Sequence, residues 1–212
     1  MLLAAALVPQ TALLVPGAAG RAEVLTAERR AVLEAVADLV ATGPDRVVLV
    51  VPGAVRPVTG RLRPTLAAAS IDDDRLGWPV PVLGVPSADP ARGAAPALAV
   101  GPPVAPTVAG TAAPAAGPDE PAVVDDVAAA VGLHLLARAG WRGPVGVVGA
   151  SADADPAGRG RALAAGPQRV ALLLCASLSA RRGPGAPLAE DDRAPAFDDA
   201  VLADLARLGG AG

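Results

Sequence analysis

The chain has 212 residues, 52% of them apolar, and a formal net charge of −3 at pH 7. That supplies enough apolar side chain for one large α/β domain over 1–212. All 18 basic residues are arginine, with no basic stripe, and the aromatics are Trp78, Trp141 and Phe197, which excludes a nucleic-acid surface of clustered cations and stacking rings.

Met1 to Val8 is apolar and reads as a buried first strand. No cation precedes it and Pro9 and Gln10 interrupt it, unlike a signal peptide. Nothing approaches the about 20 consecutive apolar residues of a membrane span, so a cytoplasmic protein without membrane contact is expected. Thr26 is the predicted cap of a first helix, with Glu28 in its first turn. Val32, Leu33, Val36, Leu39 and Val40 form its apolar stripe, and Gly43 with Pro44 stops it. Val47 to Val51 is an unbroken β-branched and leucine run of the sort buried in a parallel sheet. Val80 to Val85 is a candidate third strand, which Pro79, Pro81 and Pro86 confine to an edge or demote from a strand altogether.

From Pro86 to Pro121 the chain is rich in Pro, Ala and Gly without periodicity, which predicts an irregular loop or insertion at about 86–121. Val123, Val124, Val127, Val131 and Leu135 then line one helix face, with Asp125 and Asp126 on the other and Gly140 as the stop. Val145 to Val148 predicts a short strand, Pro156 to Ala165 a helix, and Val170 to Cys175 a buried strand. Ala196 to Leu208 predicts a last helix with Phe197, Val201, Leu205 and Leu208 inward. The alternation implies an α/β fold, with a mostly parallel central sheet covered by helices on both faces. In such sheets ligands bind beyond the carboxyl ends of the strands.

Three segments fall at those ends: Pro9-Gln10-Thr11-Ala12-Leu13-Leu14, Val51-Pro52-Gly53, and Ser177-Leu178-Ser179-Ala180. In order, spacing and position they resemble the strand-end motifs of the class III extradiol ring-cleavage dioxygenases, close to the catalytic B-type subunit. Matches are Pro9, Leu13 and Leu14 in the first motif, Pro52 in the second, and Leu178 and Ser179 in the third. Arg193-Ala194-Pro195-Ala196-Phe197-Asp198 is similar to the helix that follows in an alanine-rich branch of that family. The resemblance implies histidines in all three motifs: two holding non-haem iron(II) with a late glutamate, and one acting as acid and base. Such a two-histidine, one-carboxylate face leaves iron positions open for catecholate and dioxygen, and imidazole exchanges protons near neutral pH. Here the three positions carry Gln10, Gly53 and Ala180, and no late glutamate follows the Phe197 helix. Loss of the family's chemistry is therefore expected, with no metal and no cofactor.

Other residues have plainer readings. His134, the single histidine, falls at the edge of its helix's stripe and reads as a boundary or buried residue with one hydrogen bond. Cys175 reads as a small buried hydrophobe. Asp72-Asp73-Asp74 and Glu190-Asp191-Asp192 lack the alternating spacing of a calcium loop and read as solvated turns. Gly149-Ala150-Ser151-Ala152-Asp153 approaches a nucleophile elbow but ends in Asp, so Ser151 or Asp153 is expected to cap the next helix. No dinucleotide or Walker A glycine pattern occurs. Arg181 and Arg182, with Ser177, Ser179 and Gln10, form the candidate ligand cleft.

The expectation is a degenerate extradiol-dioxygenase-like protein that binds a small anionic or aromatic ligand, or a protein partner, at the former cleft. A homo-oligomer or a partner subunit is compatible with the family. The alternatives are an active iron(II) dioxygenase with relocated ligands and, more remotely, a serine hydrolase at Ser151.

Overall fold

A computed structural model describes residues 1–53, 55, 57–84, 120–151, 155–184 and 188–209. The elements alternate in the order β1 (Leu2–Pro9), α1 (Thr26–Ala41), β2 (Arg46–Pro52), β3 (Leu62–Pro64), β4 (Ala122–Val124), α2 (Val127–Arg138), β5 (Val145–Ala150), α3 (Pro156–Ala165), β6 (Val170–Ala176) and α4 (Ala194–Gly209). By its contacts the chain divides into two compact units, Met1–Cys175 and Ala176–Gly212.

The first unit is α/β. Its main sheet has the order β1-β6-β2-β5. β2 runs parallel to β5, with Leu49 opposite Val147, and parallel to β6, with Leu49 opposite Leu173. β1 and β6 begin together, because the Val170 N–H donates to the Met1 carbonyl at 2.8 Å. The valine and leucine run of β2 takes the centre because it is apolar on both faces: Val47, Val48, Leu49 and Val51 are all buried. α1 and α2 pack together on one face, α1 against β1 and α2 against β2. The chain moves one way along the sheet through α1 and α2 and returns from β5 to β6 through α3. Right-handed crossovers therefore place α3 on the opposite face.

Helix boundaries follow local chemistry. α1 is driven by Val32, Val36 and Leu39, all buried, with Leu33 and Val40 at the margin. Thr26 is not its cap. Leu25 takes that place in the left-handed region at φ 54°, without a side-chain hydrogen bond, and its carbonyl accepts from the Arg29 N–H at 2.8 Å. Gly43, at φ 68°, donates to the Val40 carbonyl and ends the helix as expected.

Two expected elements differ. Val123 and Val124 belong to β4, not to a helix, and pair in parallel with Arg63 and Pro64 of β3. The helix starts at Val127 because Asp126 caps it, accepting from the Ala129 N–H at 2.8 Å. Val80 to Leu83 is not a strand: Leu83 alone pairs with Leu62, since Pro79 and Pro81 have no N–H to give a ladder. Val85 and nearly all of the expected insertion from Pro86 to Pro121 lie outside the described residues.

In the second unit α4 keeps Val201 and Leu205 on its inner side as expected, but Phe197 is not with them. Ala194 and Asp198 are buried and Val201 and Leu205 half-buried, whereas Phe197 is 61% exposed. The side chain of Leu208 lies outside the described residues. No helix among the described residues is long and apolar enough to cross a membrane.

Candidate functional site

Gln10 and Gly53 stand where the sequence put them, directly after β1 and β2 at the carboxyl edge of the sheet. Gln10 is half-buried, beside Thr11, whose Oγ1 accepts from the Leu13 N–H at 3.3 Å and caps a short 3-10 turn over Ala12–Leu14. Gly53 is exposed at φ 84°, a conformation that favours glycine, and its N–H donates to the Ala150 carbonyl at 3.0 Å. The position therefore has a backbone reason to carry no side chain.

Iron(II) of the kind the resembled family uses needs two imidazoles and a carboxylate. Gln10 offers an amide, Gly53 nothing and Ala180 a methyl group. Among the described residues no group of three or more His, Cys, Asp or Glu could hold a metal ion. The residues present do not fit the metal.

His134, on α2, is the buried residue that one of its two expected readings gives, 1% exposed. Its ring tilts against Trp78 with centroids 5.2 Å apart, and neither ring nitrogen has a hydrogen-bond partner among the described residues. Burial pushes its pKa down to about 4, against a smaller opposing pull from Asp73. It is a neutral core residue with no hydrogen bond to Ser151 among the described residues. Ser151 is not a helix cap either: Asp155 caps α3 by accepting from the Gly158 N–H at 2.8 Å. Asp153 lies outside the described residues.

The acidic runs are tied into the structure. Asp73 accepts from Arg63 Nη2 at 2.8 Å and from the Thr65 hydroxyl at 3.1 Å, which anchors the turn after β3. Asp72 pairs with Arg75 at 3.2 Å.

The remaining candidates belong to the second unit. Ser179 and Arg181 come together with Asp191, Arg193, Ala194 and Phe197 around a pocket of about 330 Å³. A closed loop shapes it: the Leu188 N–H donates to the Ala180 carbonyl and the Asp191 N–H to the Arg181 carbonyl, both at 3.1 Å. Arg181 Nη1 donates to the Ala189 carbonyl at 3.1 Å, and its backbone N–H to Ser179 Oγ at 3.2 Å. Arg193 holds both oxygens of Asp191, at 3.0 and 2.8 Å, and keeps that carboxyl well below the usual carboxylate range. Ser177 is exposed and does not line the pocket.

Arg182 does not line it either. Its Nη1 donates to Asp199 at 3.1 Å and lies 4.0 Å from Asp198. Asp198, 1% exposed, also accepts from the Ser179 N–H at 2.7 Å and so fixes the pocket's first wall. The sequence reading missed Asp198. Val201 and Leu205 lie on the expected side of the helix, but Ala194 and Asp198 complete it in place of Phe197, and hydrophobicity gives no reason to expect an aspartate there. The chain matches no protein-family model, and no curated protein matches it at a significant level.

Proposed function

We propose that the chain is a non-catalytic relative of the class III extradiol dioxygenases that binds a small aromatic anion in place of turning over a catechol. The observation that carries the reading is the second-unit pocket, where the exposed ring of Phe197 stands beside Arg181 and Ser179. A ring face and a guanidinium together suit a planar carboxylate: one stacks, the other makes charge-assisted hydrogen bonds. The bidentate Asp191–Arg193 pair leaves Arg181 as the cation that sets the pocket's sign. The loss of chemistry follows from the amide, the glycine and the methyl group at the three motif positions, Gln10, Gly53 and Ala180.

The test has two arms. After anaerobic loading with iron(II) and desalting, elemental analysis is expected to find far less than one iron per chain, with no catechol-dependent oxygen uptake. Benzoate, titrated by calorimetry, is expected to bind saturably and to weaken about tenfold in Arg181→Gln, as loss of a charged hydrogen bond implies. Stoichiometric iron with oxygen uptake would overturn the non-catalytic reading. Benzoate binding indifferent to Arg181 would overturn the site.

A further inference from the structure

A concavity of about 750 Å³ lies in the first unit, between α1 and the C-terminal end of α2. Arg29 and Arg30 reach it from the first turns of α1, and Arg138 and Arg142 from the end of α2 and just beyond. Glu34 is the carboxylate among the lining residues. It stands 3.9 Å from Arg30 with its side chain 70% exposed, so it neutralises little. A local excess of positive charge thus collects in a chain of net charge −3.

Among the described residues these guanidinium groups meet no carboxylate ion pair beyond Glu34. Arg29 Nε donates to the Leu13 carbonyl at 2.8 Å, and its Nη2 is buried with no partner among the described residues. Arg142 Nη1 donates to the Ala137 and Trp141 carbonyls, both at 2.8 Å, which satisfies the end of α2 and, among the described residues, leaves the charge without a carboxylate. Arg138 lies 5.4 Å over the ring of Trp78, which also lines the cleft and whose buried Nε1 has no acceptor among the described residues. Thr26, the first residue of α1, adds the positive end of a 16-residue helix. Unpaired donors and like charges drawn together are costly unless an anion joins them.

We propose that this cleft binds a phosphorylated small molecule, its phosphate oxygens held by Arg29, Arg30, Arg138 and Arg142. Guanidinium forks match phosphate oxygens two at a time, and the volume falls within the range of small-molecule sites, well above what one inorganic ion needs. The site is independent of the second-unit pocket.

Pyrophosphate is the probe, titrated by calorimetry into the full chain at about 0.15 M salt, where exposed surface charge is largely screened. Saturable binding is expected, weakened about tenfold in both Arg30→Gln and Arg138→Gln. Both positions are exposed, so the fold should survive, which thermal melting verifies. Arg161→Gln on α3 and Arg181→Gln in the second unit are expected to bind as the parent does. Absence of saturable binding would overturn the proposal, as would equal weakening in all four variants. Weakening confined to Arg181→Gln would do the same.

Discussion

Gly132 faces β2 from the middle of α2, at a point where a β-carbon would sit 2.5 Å from Leu49 Cδ1 and 2.9 Å from Cys175 Sγ. Both neighbours are fully buried, so neither can swing into solvent. Alanine is worth roughly 1 kcal/mol over glycine in a helix interior. Here that gain is opposed by overpacking, which costs about 1–3 kcal/mol. Gly132→Ala is therefore expected to lower stability by about 1 kcal/mol in urea unfolding, where an ordinary helical glycine would gain. An increase would mean that the helix shifts off the strand at little cost. The same close approach explains why Cys175 is inert: burial pushes its thiol up to about 12, with Asp126 adding to the shift.

Among the elements, α2 depends on its cap. Asp126 is in extended conformation and accepts the Ala129 N–H, so Asp126→Ala should cost about 0.5–2 kcal/mol, while Asp126→Asn keeps the acceptor and most of the stability. Equal losses in the two variants would show that charge, not the hydrogen bond, is what matters. This cap marks where the sequence was legible and where it was not. Uniform apolar runs such as Val47 to Val51 and Val170 to Cys175 were readable as central strands, because nothing but a buried sheet satisfies them. The short pair β3 and β4 was not, since each has three residues and its partner lies about sixty positions away. Val123 and Val124 continue the helical spacing of Val127 and Val131 by coincidence, and Asp126 is the residue that separates strand from helix. α4 was legible with Val201 and Leu205 inward, but Phe197 was not legible as exposed, because Asp198 beside it is buried through hydrogen bonding, which hydropathy does not register. The second-unit pocket was half legible: Ser179 was read from the third motif and Arg181 from its place just beyond the last strand, whereas Arg193 and the exposed face of Phe197 depend on where the loop closes.

For the whole molecule, two buried titratable side chains set opposite limits on the pH range of stability. His134 has an ordinary pKa of 6.5 and a folded value of about 4, because its ring is enclosed in α2 against Trp78. Asp73 is the carboxylate that opposes this shift, and Arg138, a cation, lies over the far partner of the ring pair. Between those two pH values the unfolded chain carries the proton and the folded chain does not. Stability therefore falls as pH drops through the window, by up to about 1.4 kcal/mol per pH unit. Cys175 acts at the other end. Its ordinary pKa is 9.0 and its folded value about 12, so the unfolded chain loses the proton first and stability falls as pH rises through that range. Between about 6.5 and 9.0 neither group changes charge in either state, and a plateau is expected there. Urea unfolding at pH 5, 7.5 and 10 reads both limbs. His134→Leu should flatten the acid limb and leave the alkaline one, and Cys175→Ala should do the reverse, whatever each costs at pH 7.5. Because the measured quantity is a slope, a cavity or a lost contact at either site shifts the curve without mimicking the effect. An acid limb that survives in His134→Leu would show that the pH sensitivity of this window does not come from His134.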